Sequence, residues 1–232
     1  MNIGGFIPNS LIDYPGMVSC VVFTQGCNFH CPYCHNPDLV PLARTGDTLY
    51  SQDWFFSFLE ERRGLLDAVV ISGGEPTLQK HLPEFLRRIK SLGFRIKLDT
   101  NGSRPQVVRV LAAEKLVDYI AMDIKTDPWN YAPDLCRQSD PQALLASMAA
   151  IMEAPCDYEF RTTCVKPFTD SKTIRTIASC IRGAKRYVLQ PFRPDNVLSP
   201  SFFSGENSRI GAEDILEFKR MVEPFVQECL IR

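Results

Sequence analysis

The chain has 232 residues, enough for one sizeable α/β core, so we expect residues 1–232 to form a single domain. Its 26 Lys and Arg residues nearly balance its 27 Asp and Glu residues, and this net charge of -1 disfavours a nucleic-acid partner, which usually needs a basic surface. The sequence shows neither a signal-peptide pattern nor an apolar run long enough for a membrane span, so it predicts a cytoplasmic protein without membrane attachment.

Alternating apolar and amphipathic segments predict a repeating order of strands and helices. Six strands are predicted, at residues 17–24, 67–72, 94–100, 118–124, 157–166 and 185–192. Helices are predicted at residues 51–63, 82–92, 105–115, 141–153, 171–182 and 211–229, with a proline-bearing loop at 126–140. Ser51 suits the N-cap of the first helix, and Gly93 suits the end of the second.

Strands that alternate with helices of this length pair in parallel through right-handed crossovers. Six such units are too few for a closed eight-stranded barrel. We therefore expect an α/β fold whose parallel strands form a partial (β/α)6 barrel of the TIM type.

Nine cysteines are many for a reducing compartment, and an odd number does not suit a disulfide framework, so metal binding or redox chemistry is indicated. Cys27, Cys31 and Cys34 crowd together directly after the first predicted strand. The other six stand alone, mostly in apolar or helical segments where cysteine acts as a small hydrophobic residue; they are Cys20, Cys136, Cys156, Cys164, Cys180 and Cys229. A loop with three cysteines leaves one iron of a [4Fe-4S] cluster open to an outside ligand. A zinc site completed by His30 or His35 is the alternative.

Polar residues follow the predicted strands at their carboxyl ends, where parallel α/β folds place their ligand sites. In chain order after the cysteines they are Gly73, Gly74, Glu75, Asp99, Thr100, Asp123, Lys125, Arg161, Gln190 and Arg193. We expect these residues to converge on one C-terminal mouth.

The spacing Cys27-x3-Cys31-x2-Cys34, with an aromatic residue before the last cysteine, resembles the radical S-adenosylmethionine (SAM) superfamily. The resemblance implies a [4Fe-4S] cluster held by the three cysteines, whose open iron binds the amino and carboxylate groups of SAM. One electron from the cluster would break a C–S bond of SAM and give methionine and a 5′-deoxyadenosyl radical. The expected activity is therefore that of a radical SAM oxidoreductase.

Other motifs extend this resemblance. Gly73, Gly74 and Glu75 match the superfamily's GGE motif, which receives the methionyl ammonium, while a lone motif of this kind could be an ordinary turn. By the same resemblance, Tyr33 would lie against the adenine, with packing against the loop as its alternative.

Two further segments look like those of the glycyl-radical-enzyme activases. In these enzymes the residues matching Asp99, Thr100 and Asp123 can organise a monovalent cation near SAM, and the residue matching Lys125 can face the methionine carboxylate. An ordinary ion pair at a sheet end is the alternative for Asp123 and Lys125.

Arg161, Gln190 and Arg193 are expected to contact SAM from their strand-end positions and their likeness to activase segments. At the position of Arg193 some activases carry a histidine that touches SAM, so this chain departs from the pattern there. His35 and Asn36 match the activase run Cys-His-Asn.

Asp13, in the run Asp-Tyr-Pro-Gly before the first strand, resembles the activase segment that meets the partner's glycine loop; a simple turn is the alternative. The opening part of the chain most resembles activating proteins of anaerobic ribonucleotide reductase. This implies hydrogen abstraction from a glycine of that enzyme, with reduced flavodoxin or ferredoxin as electron donor. The alternatives are another glycyl radical enzyme as partner, a small-molecule radical SAM reaction, an iron-sulfur electron carrier, or a zinc-binding module.

Overall fold

The computed structural model describes residues 1–42, 50–203 and 208–232. In these residues eight strands form one sheet in chain order: β1 (Ile3–Ser10), β2 (Ser19–Thr24), β3 (Ala68–Gly73), β4 (Arg95–Thr100), β5 (Tyr119–Asp123), β6 (Asp157–Cys164), β7 (Tyr187–Pro191) and β8 (Cys229–Ile231). Strands β2 to β8 pair in parallel, and β1 pairs antiparallel with β2. The carboxyl ends of seven strands therefore lie at one edge.

In the described part of the chain six α-helices follow the strands: α1 (Gln52–Glu61), α2 (Leu82–Ser91), α3 (Pro105–Ala113), α4 (Pro141–Met152), α5 (Ser171–Cys180) and α6 (Ala212–Val222). Their starts are well defined, because Asp140 and Asp170 accept hydrogen bonds from backbone N–H groups in the first turns of α4 and α5. The helices bury their apolar faces against the outer face of the sheet in one large hydrophobic core. No helix in the described ranges is long and apolar enough to cross a membrane.

The sheet curves into a barrel, since side chains from strands that are not neighbours meet on its inner face. Arg161 on β6 lies 3.5 Å from Asp99 on β4, Nη1 to Oδ1, although β5 separates the two strands. Tyr14, from the loop between β1 and β2, packs with Val70 of β3 and Tyr119 of β5. In the described chain β1 and β8 have one neighbouring strand each, so the barrel is open along one side. The expected partial α/β barrel is confirmed.

The six predicted strands correspond to β2 through β7, but β1 and β8 were not predicted. The predicted helix at 211–229 is too long: α6 ends at Val222, and Cys229–Ile231 forms β8. Strand β1 contains two glycines and Pro8, which are typical of turns. It tolerates Pro8 because it is the outermost named strand on its side of the sheet.

Strand β1 also packs against one side of α1. Ser51 caps this helix as predicted, its hydroxyl accepting from Trp54 N at 3.1 Å. However, Trp54 stays 43% exposed and packs edge-on against Phe6 of β1, with ring centroids 5.1 Å apart. Phe58 also contacts Phe6, whereas Phe55, Phe56 and Leu59 are buried in the core.

Candidate active site

The cysteine loop leaves the carboxyl end of β2 and is fixed by backbone hydrogen bonds on both sides. Near its start, Cys27 N donates to Val40 O at 3.0 Å. At its end, Cys34 N donates to Cys31 O at 2.9 Å, and Leu198 N donates to Cys34 O at 3.0 Å. Residues from three parts of the chain thus hold the three cysteines at the mouth of the barrel.

The three cysteines line a cavity of about 270 Å³ at the carboxyl edge of the sheet. The expected convergence of residues is found there, since every strand from β2 to β7 contributes through its end or the loop that follows. The lining residues are Cys27, Phe29, Cys31, Tyr33, Cys34, His35, Asn36, Ser72, Gly73, Gly74, Asp99, Thr100, Asn101, Asp123, Lys125, Arg161, Thr163 and Gln190.

All three cysteines are free thiols. Burial raises the pKa of Cys27 to about 11 and that of Cys31 to about 12, so both thiols are protonated at neutral pH until a metal displaces the proton. Cys27 Sγ accepts from Phe29 N at 3.4 Å and lies 3.9 Å from Asn101 Nδ2. Such donors stabilise a sulfur that carries negative charge. Three thiols on one loop, with Cys31 buried and Cys27 and Cys34 half-buried, fit a [4Fe-4S] cluster with one iron left open.

The zinc alternative finds little support in the same loop. His30 Nε2 lies 3.1 Å from Pro133 O, and His35 Nδ1 lies 3.2 Å from Asp195 O, so each ring has a backbone partner. Among the described residues no three Cys, His, Asp or Glu side chains come close enough to hold a single metal ion. A cluster differs from zinc here, because each thiolate binds a different iron atom.

Gly73 and Gly74 are required by the backbone around them. Gly73 has a φ of +116°, and a Cβ there would lie 2.2 Å from Thr24 N. A Cβ on Gly74 would lie 2.2 Å from Gly26 O. The glycines therefore let the end of β3 touch the start of the cysteine loop, which fixes the loop relative to the sheet.

Glu75 is fully buried and lies behind the cavity wall rather than on it. Its Oε1 accepts from Thr77 N at 3.0 Å and Thr100 Oγ1 at 2.7 Å, and its Oε2 accepts from Asn101 N at 2.6 Å. Burial raises the pKa of this carboxyl, and the hydrogen bonds oppose that rise. Glu75 thus joins the turn after β3 to the turn after β4, and the contact of the Gly73–Glu75 segment with SAM stays a prediction.

Charged side chains cross the barrel below the mouth. Arg161 Nε donates to Asp123 Oδ1 at 2.7 Å, and Lys125 Nζ donates to Asp123 Oδ2 at 2.9 Å. Burial acts to raise the pKa of Asp123, but the charges of Arg161 and Lys125 and their hydrogen bonds outweigh it and hold the pKa well below its usual range. The ordinary ion pair considered for Asp123 and Lys125 is present, yet both residues also line the cavity.

Replacing Asp123 with asparagine is expected to lower the free energy of unfolding of the apoprotein by about 2–3 kcal/mol at pH 7. Arg161 and Lys125 would lose their shared partner, while the 27% exposure of the Asp123 side chain limits the cost. Because folding depresses the pKa of Asp123, its contribution is present above about pH 4, the unfolded value, and is lost as the pH falls further. Urea unfolding of both proteins should give a constant difference from about pH 8 to 5 that narrows below about pH 4; no difference at pH 7 would contradict the pairing.

Two predicted site residues lie elsewhere. Arg193 is exposed beyond the end of β7 and does not line the cavity, whereas Gln190, three residues earlier, does. Asp13 lies next to Ser10, whose hydroxyl donates to Asp13 Oδ2 at 2.5 Å. Ser10 pairs with Ser19 at the amino end of β2, so Asp13 is about 20 Å, one strand length, from the cysteine loop. Its contact with a partner protein stays a prediction.

Sequence reasoning also missed residues that line the cavity. Phe29 and Asn101 lie within motifs that were recognised, but no role was given to them. Ser72 lies on the same face of β3 as Ala68 and Val70, and Thr163 lies on the same face of β6 as Arg161, so a period of two along each strand would have pointed them inward.

Comparison with known proteins identifies the family to which this chain belongs. The radical SAM superfamily model matches residues 21–180. A protein of Methanocaldococcus jannaschii named as a glycyl-radical enzyme activating enzyme is 35% identical over 236 aligned residues, which cover 99% of this chain and 95% of the relative. The chain belongs to the radical SAM superfamily, among the glycyl-radical enzyme activating enzymes.

Other relatives agree with this placement. The pyruvate formate-lyase-activating enzyme of Clostridium pasteurianum is 28% identical, over 95% of this chain and 94% of its own length. The crystal structure of Streptococcus suis SuiB bound to its precursor peptide SuiA has a TM-score of 0.66 at 13% identity. The match covers 90% of this radical SAM chain and 47% of SuiB, so it supports the fold alone. Membership of the radical SAM superfamily implies a [4Fe-4S] cluster and SAM as cofactors. The free thiols of Cys27, Cys31 and Cys34 fit such a cluster.

Proposed function

We propose that this radical SAM enzyme activates the anaerobic ribonucleotide reductase by removing a hydrogen atom from one glycine Cα. The observation that carries the proposal is the cavity in which three thiols of one loop face the side chains of Asp123, Lys125 and Arg161. The resemblance of the opening segment favours the reductase as partner, and the relatives named as activating enzymes support an activase function. Reduced flavodoxin or ferredoxin is the proposed electron donor, and the cytoplasm is the proposed location.

The cavity offers separate positions for the parts of SAM. Tyr33 is buried and donates to Lys125 O at 3.3 Å, which leaves its ring as a flat apolar surface for the adenine. Lys125 supplies a positive charge for the methionine carboxylate, and the Gly73–Gly74 backbone is available to the ammonium. Gln190 and Arg161 line the opposite wall, where they can orient the remainder of the molecule.

A cluster held by Cys27, Cys31 and Cys34 would supply the electron that the cleavage of SAM needs. The residues of the chain position the reactants and exclude water. Phe29 and Tyr33 pack with the three cysteines in the hydrophobic core, and the glycine contacts with Thr24 and Gly26 hold the loop that carries them. The ion network keeps Lys125 and Arg161 in fixed positions before SAM enters, so little side-chain entropy is lost on binding.

The proposal is tested by mixing the anaerobically reconstituted enzyme, reduced flavodoxin, SAM and the anaerobic ribonucleotide reductase of the same organism. A glycine-centred doublet in electron paramagnetic resonance is expected only when all four components are present. The matched control is the reductase with its radical-bearing glycine replaced by alanine, which should not give the glycine-centred doublet.

Pyruvate formate-lyase in place of the reductase tests the choice of partner. A doublet with the lyase and none with the reductase would overturn the proposed partner while leaving the activase function standing. 5′-Deoxyadenosine formation without a doublet on any glycyl radical enzyme would overturn the activase function itself.

A further inference from the structure

Lys97 is a buried lysine at the centre of the barrel, beneath the cavity. It lies on the inward face of β4, where the register places it beside Val70 of β3 and Tyr119 of β5, and it is only 2% exposed. Its Nζ donates a short hydrogen bond to Asp99 Oδ1. Lysine is almost never buried to this degree unless it is paired, so the pair with Asp99 is what keeps the charge inside the barrel.

Asp99 connects this lysine to the cavity. The carboxylate of Asp99 lines the cavity, whereas Lys97 lies beneath it and does not. The same Asp99 oxygen lies 3.5 Å from Arg161 Nη1. Arg161 also forms an ion pair with Asp123, and Asp123 forms another with Lys125. Charges of alternating sign therefore run without a break from the centre of the barrel to its mouth.

The monovalent cation expected from the activase resemblance does not fit this arrangement. Three side-chain cations already surround the two carboxylates, so the network carries a net charge of about +1. Both oxygens of Asp123 and one oxygen of Asp99 contact a side-chain cation. An added ion at Asp99 and Asp123 would meet Lys97, Arg161 and Lys125 at short range in a partly desolvated site, where like charges repel strongly.

We propose that the ammonium of Lys97 occupies the place of a monovalent cation in this enzyme. Lys97 is a positioning residue: it fixes Asp99 from below and, through Arg161 and Asp123, sets the orientation of Lys125 for SAM. The inference rests on the proposed function in one respect, namely that SAM binds in this cavity. Its consequence is that SAM binding by this chain does not depend on potassium or sodium ions.

The test measures SAM binding to the reconstituted, unreduced holoenzyme by equilibrium dialysis in potassium, sodium or tetramethylammonium chloride of equal ionic strength. The wild-type dissociation constant is expected to agree within about twofold across the three salts. Lys97→Ala vacates the ammonium position, so its affinity for SAM should fall about tenfold or more in tetramethylammonium chloride and recover in potassium chloride. Lys97→Met fills the same space without charge and should bind SAM weakly in every salt.

Lys90→Ala is the matched control, since Lys90 pairs with Asp118 at 2.7 Å near the amino ends of the strands and lies outside the cavity. It should bind SAM as the wild type does. Wild-type binding that is at least about tenfold tighter in potassium chloride would overturn the role of Lys97, as would a Lys97→Ala variant with wild-type affinity in every salt. If both Lys97 variants fail to fold, the dependence of wild-type SAM binding on the salt still tests whether a monovalent cation is needed. Wild-type protein that binds no SAM in any salt would overturn the proposed function as well.

Discussion

Replacing Cys31 with alanine is expected to abolish both cluster assembly and SAM cleavage. The side chain is 7% exposed and is one of three thiols facing the cavity, so its loss leaves two thiolates for a cluster that needs three. Iron and sulfide content after anaerobic reconstitution should drop to background. The rate of 5′-deoxyadenosine formation should fall by about three orders of magnitude or more, as when other groups essential to the chemistry are removed.

Cys180→Ala provides the control for this substitution. Cys180 is also a free cysteine and is partly buried, but it ends α5 on the outer side of the sheet and does not line the cavity. This variant should bind iron and sulfide and cleave SAM as the wild type does. A Cys31→Ala variant that retained a full cluster and SAM cleavage would show that the ligands are other residues.

The second large effect is expected from Gly73→Ala in the turn that supports the cysteine loop. A Cβ would lie 2.2 Å from Thr24 N and 2.6 Å from Thr24 O, and these atoms belong to the paired strand β2. Neither strand can move without breaking the ladder, and a φ of +116° adds conformational strain. We expect a loss of about 3–5 kcal/mol in the free energy of unfolding of the reduced apoprotein, measured by urea unfolding.

Two other glycines separate the causes of this loss. Gly64 has a φ of +77°, but a Cβ there would meet no atom within 4 Å, so Gly64→Ala should cost only about 1 kcal/mol for its backbone conformation. Gly74→Ala would place a Cβ 2.2 Å from Gly26 O and should be as damaging as Gly73→Ala through contact alone. Equal losses at Gly73 and Gly64 would contradict the close approach of the end of β3 to β2.

The central strands were predictable because their physical signal is local. Strand β3, for example, is a short apolar run buried on both faces, which is typical of a parallel sheet covered by helices. Strands β1 and β8 lack this signal. Strand β1 is rich in glycine and carries Pro8, and β8 has three residues, so each is stabilised by the neighbour it pairs with rather than by its own composition.

The site was predictable to the extent that strand ends determine it. Asp99, Asp123 and Gln190 reach the cavity because the carboxyl ends of parallel strands meet at one edge. Arg193 does not, because it lies beyond the end of β7 and is exposed in a separate groove with Pro194 and Arg209. The hydrogen bonds of Glu75 join residues 25 or more positions apart, and Asp99 meets Arg161 because the sheet curves, so no local pattern encodes these contacts.

The most direct test of the account follows the abstracted hydrogen atom. The anaerobic ribonucleotide reductase would be produced with glycine deuterated at Cα and incubated anaerobically with the reduced enzyme and unlabelled SAM. Mass spectrometry of the product should find 5′-deoxyadenosine carrying one deuterium, in step with the growth of the glycyl radical signal. 5′-Deoxyadenosine that forms without deuterium while the reductase stays free of the radical would contradict the account.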